Sequence, residues 1–170
     1  MQRSRKPLNT TLKISETIPE SYDIKFINSC AVINEIKEFL SKYMRGSCKL
    51  SLSANSYKCL SFSPQGLAHI LRIIFKTIYN REIVFISNAN FDDFLRLSLK
   101  FNTSLLDDKT VDDILSIAKK SKIEARIQES SVELDIYFCH EKLPYLSSVS
   151  PKITFASLVS VFFDESDITN

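Results

Sequence analysis

Glycine is the residue that most constrains this chain: only Gly46 and Gly66 occur in 170 residues. Average usage is roughly 7%. Loops that cradle phosphate need glycine, so that backbone N–H groups can approach the ligand and φ can turn positive. Two isolated glycines cannot build such a loop. A P-loop and a glycine-rich dinucleotide fingerprint are therefore excluded.

The length suits one domain of roughly 100–200 residues, and a chain of this size buries enough surface to need no metal or disulfide staple. Apolar residues make up 44% and charged residues 25%, an ordinary globular balance. A net charge of +2 gives no basic footprint for nucleic acid. The one basic cluster, Arg3, Arg5 and Lys6, lies in a polar N-terminal stretch read as an arm. Met1 to Asp23 holds no signal-type apolar run, and nowhere does an apolar stretch approach the ~18 residues of a membrane span. The expectation is a cytosolic chain with no membrane partner. Cys30, Cys48, Cys59 and Cys139 form no CxxC pair and no zinc-ligand spacing, so they read as free, mostly buried thiols. No metal is expected.

Hydrophobic periodicity gives the element order. Residues 1–24 lack it and contain Pro7 and Pro19; they read as a flexible arm. From Ala31 to Met44, the residues Val32, Ile36, Phe39, Leu40 and Tyr43 fall at helical spacing, with Gly46 as a candidate stop. Two short strands, Lys49–Ser53 and Tyr57–Phe62, flank a turn at Ala54 to Ser56. Ser63-Pro64 then opens the clearest helix, serine as N-cap and proline at its first position. Its stripe is Leu67, Ile70, Leu71, Ile74, Phe75 and Ile78, and it ends near Asn80.

Strands Glu82–Ser87 and Phe94–Phe101 read as an antiparallel pair joined through Asn88 to Asn90. In the second, Leu95, Leu97, Leu99 and Phe101 alternate with Arg96, Ser98 and Lys100. A helix from Thr110 to Lys120 and a hairpin, Ile123–Gln128 with Val132–Phe138, close the domain at residue 142. Residues 143–170 form an extension packed on it, with an apolar stretch Phe155–Phe163 read as a short helix. The order predicts a two-layer α/β (α+β) sandwich, helices on one face of a mixed, mostly antiparallel sheet.

In element order and apolar pattern, residues 28–138 resemble the histidine-kinase-type ATPase domain, the GHKL or Bergerat fold of the gyrase, heat-shock chaperone and MutL ATPases. The helix Ser63 to Asn80 resembles that family's N-box helix. The resemblance implies asparagines on its inner face for Mg²⁺ and phosphate. Aligning Leu67 to Leu71 with the family's run puts Ile73 and Thr77 at those positions, and isoleucine offers no hard oxygen donor. The next strand should end in an aspartate-x-glycine box reading adenine; here stand Phe101, Asn102 and Thr103. The glycine-rich lid is replaced by Ser104 to Thr110, which has no glycine. What the resemblance implies is thus a degenerate domain with no ATP-dependent catalysis and no cofactor. A kinase would also need a phosphoacceptor helix upstream, and none is expected within the first 30 residues, which contain no histidine.

Other chemistry-bearing residues have plain readings. His69 lies beside the helix stripe as a half-exposed structural histidine, with phosphoacceptor or general base as the sharper alternative. Cys139, His140 and Glu141 suggest a thiol site, but neighbours in a strand face opposite ways. Asp107, Asp108, Asp112 and Asp113 complement a helix N-terminus more simply than they hold a metal. Lys119-Lys120 and Arg72 with Lys76 read as solvated helix faces. The expected function is a non-catalytic regulatory or adaptor module in signal transduction that binds another protein, a second copy of the chain being one candidate. The contact residues would be Asp107 and Asp108 beside the lid position, and Phe155, Phe162 and Phe163 of the tail. The alternative is a divergent nucleotide-binding or phosphotransfer protein using Asn102, the acidic loop or His69; a third is an unrelated α/β sandwich.

Overall fold

The computed structural model describes residues 20–44, 46–54, 58–78, 82–101, 106–128 and 133–140. In chain order these form β1 (Lys25–Asn28), α1 (Ser29–Tyr43), β2 (Cys48–Ser51), β3 (Cys59–Phe62), α2 (Pro64–Ile78), β4 (Val84–Asn90), β5 (Phe94–Lys100), α3 (Asp108–Lys120), β6 (Glu124–Gln128) and β7 (Glu133–Cys139). The arm before Glu20, the tail after His140, and Asn102 and Thr103 lie outside the described residues.

A five-stranded sheet runs in the order β2-β4-β5-β7-β6, and β1 and β3 make a separate two-stranded sheet. Only β2 and β4 pair in parallel; β4–β5, β5–β7 and β6–β7 are antiparallel. The fold is the expected mixed two-layer sandwich, and its core is the helix-facing side of this sheet. Leu95, Leu97 and Leu99 of β5 and Leu134, Ile136 and Phe138 of β7 are fully buried there, with Ile70 and Ile74 of α2 and Ile114 of α3. The strict alternation of β5 and β7 is the cause, because one apolar face every second residue can be buried only on one side.

Helix starts follow their caps. Asn28 accepts from the backbone N–H of Cys30 at 2.8 Å and Ala31 at 3.4 Å, so α1 begins at Ser29. It stops at Met44, whose N–H reaches Leu40 O. Gly46 has no positive φ and so is not the left-handed stop expected of it. For α2, Ser63 Oγ accepts from Gly66 N at 3.1 Å with Pro64 as first residue, as anticipated. Helix α3 ends at Ser121, and Ile123 N–H reaches back to Ala118 O at 3.0 Å. That turn needs a left-handed residue, a place usually taken by glycine. In this glycine-poor chain Lys122 takes it with φ 60°.

Three features depart from the sequence expectation. Strands β2 and β3 do not pair; β3 joins β1, from Lys25↔Phe62 to Asn28↔Cys59, because both its faces are buried and it belongs inside the core. Strand β4 continues through Asn90. Its Asn88 amide accepts from Ser53 N at 2.7 Å and donates to Ser53 O at 3.0 Å, a side chain prolonging the β2–β4 ladder. And the core reaches back into the stretch read as an arm, where Tyr22 is buried.

Candidate functional site

The region to which the resemblance points is the C-terminal half of α2, the end of β5 and the start of α3. Ile73 is half-buried and packs against the core. Thr77 Oγ1 donates to Ile73 O at 2.8 Å, spending its hydroxyl on the helix's own backbone. Phe101 is 2% exposed, and Leu106, at the far side of the undescribed residues 102–105, is buried with it in the same core. Of the positions to which the resemblance assigns metal, phosphate and adenine, the described ones are apolar at Ile73 and Phe101 and bonded to the helix's own backbone at Thr77.

At the start of α3, Asp107 is the N-cap and accepts from Thr110 N–H at 2.7 Å. The hydrogen bonds from Thr110, with a smaller effect from Lys109, hold its carboxyl below the usual carboxylate range. Asp108 occupies the exposed first turn, and Asp113 pairs with Lys109 at 3.2 Å one turn on. These acids complement the helix dipole. No cluster of three or more His, Cys, Asp or Glu suited to a metal occurs among the described residues.

A second polar group lies inside the molecule. His69 is buried, against the expected half exposure, and Tyr22 OH is 2.7 Å from its Nδ1. The rings meet edge to face with centroids 5.6 Å apart. Burial first, and the charge of Arg72 second, push the imidazole below its usual range, so the ring is held neutral with Nδ1 and the tyrosine hydroxyl sharing one hydrogen bond. Burial in turn pushes Tyr22 up to about 12. Arg72, expected on a solvated face, is 2% exposed; one turn beyond His69, it shares the side of α2 that Tyr22 covers. Lys76 remains exposed as expected.

The thiol pattern does not assemble. Cys139 is exposed and in register with Phe94. His140 turns to the β4–β5 connection, its N–H to Asp93 O at 3.0 Å and its Nδ1 to Asp92 O at 3.1 Å. Burial pushes the Cys48 thiol up to about 11, which removes it as a nucleophile.

A third cluster went unread in the sequence. On the sheet face turned away from the helices, Ser98 Oγ donates to Asp135 Oδ1 at 2.8 Å, with Gln128 Nε2 3.4 Å from the other carboxylate oxygen. Beside it runs a chain of rings and guanidinium groups: Arg126 4.8 Å from the Tyr137 centroid, Tyr137 5.4 Å from Phe94, Phe94 stacked at 4.5 Å on Phe91, and Arg96 5.4 Å from Phe91. Each strand alone shows only alternation; the register of β5 against β7 brings these residues together. The tail residues Phe155, Phe162 and Phe163 lie outside the described residues.

No helix among the described residues is long and apolar enough to cross a membrane. No family model matches the sequence, and no curated protein matches it. Among solved structures, the chain is similar to the Acinetobacter baumannii histidine kinase AdeS, at 11% identity over 80% of this chain and 75% of that one, with a TM-score of 0.46. It is similar also to the cytoplasmic segment of histidine kinase QseC, at 11% identity over 82% of this chain and 95% of that one, with a TM-score of 0.46.

Proposed function

We propose that this chain is a non-catalytic regulatory or adaptor module, built on a histidine-kinase-ATPase-like fold that has given up its nucleotide chemistry, and that it acts by binding another protein. The observation that supports this most is Phe101. In the resembled family a carboxylate at that position reads the adenine amino group; here an aromatic ring is buried in the core. Ile73 and Thr77 support it too, one packed on the core and the other bonded to its own helix. Phosphotransfer through His69 is disfavoured by the burial of the ring and by the Tyr22 hydroxyl held against Nδ1. On this reading the partner would meet the N-terminal end of α3, where Asp107 and Asp108 stand exposed, and Phe155, Phe162 and Phe163 of the tail.

Calorimetric titration of the purified chain with Mg-ATP and Mg-ADP to millimolar concentration tests this. No heat and no thermal shift are expected. Micromolar binding would overturn it and direct attention to hydrolysis and to phosphate transfer.

A further inference from the structure

The outward face of the five-stranded sheet is not a plain solvated surface. In mid-face, Ser98 and Asp135 are only 5% and 2% exposed, although their strand neighbours Leu97, Leu99, Leu134 and Ile136 point to the opposite, helix-covered side. Next to them Phe91 is 41% exposed at the end of the aromatic and guanidinium chain, and Arg96 Nε is a buried donor with no hydrogen-bond partner. An apolar strip beside a guanidinium whose Nε lacks an acceptor suits an occupant with an apolar stripe followed by carboxylates.

We infer that this face is the docking site of the chain's own C-terminal segment, Phe155–Phe163. The exit of the chain favours it. Strand β7 ends at Cys139, and His140 is fixed to Asp92 and Asp93, so the chain leaves the described fold beside the Phe91–Phe94 stack. Phe155 follows His140 by fifteen positions, a reach of up to ~50 Å at about 3.3 Å per residue. Five strands about 4.8 Å apart span only ~19 Å. The sequence of the segment matches the face. Phe155, Leu158, Val159 and Phe162 recur at i, i+3, i+4 and i+7, an apolar stripe one helix face wide, and Asp164, Glu165 and Asp167 follow directly. Arg96 is the basic group beside the Phe91–Phe94 stack, whereas Lys100 and Arg126 already pair with Glu133 at 3.8 Å and with Glu124 at 3.1 Å and Lys49 lies at the far edge, over Phe85. A protein partner that engages the tail must then first displace it from the sheet.

The test uses the full chain with a nitroxide on Cys139, which is exposed on this face while Cys59 is buried and Cys30 and Cys48 are half-buried. The amide signals of Phe155 to Phe163 should lose more than half their intensity, unchanged by tenfold dilution. An isotope-labelled chain without nitroxide, mixed with a nitroxide-bearing unlabelled one, should show no loss. Unbroadened tail signals would overturn the inference, and so would broadening in the mixed sample, which would make a second copy the occupant. A thermodynamic cycle gives an independent reading: Tyr137→Ser and Phe162→Ser together should shift the unfolding constant at least threefold less than the product of their separate effects. Strict additivity would count against docking.

Discussion

Ser121 fills the space that a side chain at Gly66 would need: a Cβ on Gly66 would lie 2.5 Å from Ser121 Cβ and closer still to its hydroxyl. The first turn of α2 and the end of α3 are thus in backbone contact, sealed by Ser63 N–H to Ser121 O at 2.9 Å. Gly66→Ala should lower stability by about 1–3 kcal/mol through overpacking, outweighing the roughly 1 kcal/mol gained in helix propensity. Pairing it with Ser121→Gly should recover part of the loss. At Gly46 nothing lies within 4 Å of the added carbon, and Gly46→Ala should leave the denaturant midpoint level or slightly raised.

The buried His69–Tyr22 pair makes stability depend on pH at both ends. His69 is held neutral below its usual range, so its contribution is complete above about 6.5 and is lost as pH falls toward the folded-state value. The slope cannot exceed one proton, about 1.4 kcal/mol per pH unit. Tyr22 is raised from 10.0 to about 12, so its contribution is complete below 10.0 and lost as pH rises toward about 12. Tyr22→Phe should cost about 1–3 kcal/mol by stranding the buried Nδ1. Urea midpoints from pH 5 to pH 8 check the acid limb; a profile unchanged by His69→Gln would refute it.

Phe101 distinguishes a packing role from a ligand-reading one. Phe101→Ala should destabilise by about 3–5 kcal/mol. A residue kept for ligand contact would tolerate truncation with its fold intact, so an unchanged melting temperature would contradict the core assignment.

Asp107 and Asp108 should separate cleanly. Asp107→Ala removes the α3 cap and should lower the denaturant midpoint more than Asp108→Ala does. Asp108→Ala removes only an exposed dipole interaction, about 0.3–1 kcal/mol. Equal losses would argue against the capping bond to Thr110.

What could be read without coordinates was whatever repeats at short range. Ser63-Pro64 announces α2, and the alternation of Leu95 to Phe101 and Leu134 to Phe138 announces two half-buried strands, because cap, stripe and pleat are set by neighbours in sequence. Partnership was not legible. Lys49–Ser53 and Tyr57–Phe62 look like a hairpin, yet each finds a strand remote from the other. Nor was the cover on a second helix side: Arg72 and His69 were read as lying off the apolar stripe, yet both are buried, with Tyr22 against His69. At the candidate site, the apolar character of Ile73 and Phe101 was evident from the residues, whereas the use of the Thr77 hydroxyl and the Ser98–Asp135 pair required the fold.

The pairing of β2 with β4 also bears on how the molecule assembles. The hairpins β4–β5 and β6–β7 close over short connections, and α3 carries one onto the other. β2 can join only in parallel, along Cys48↔Val84 to Ser51↔Ser87, once β3 and α2 have been threaded between them. Long-range parallel pairing is slow to nucleate, which makes β2 the last strand into the sheet and, as an edge, the first to leave it. Its amides should exchange with solvent deuterium ahead of those of β5 and β7, with the Asn88 amide as the latch whose removal by Asn88→Ala widens that gap.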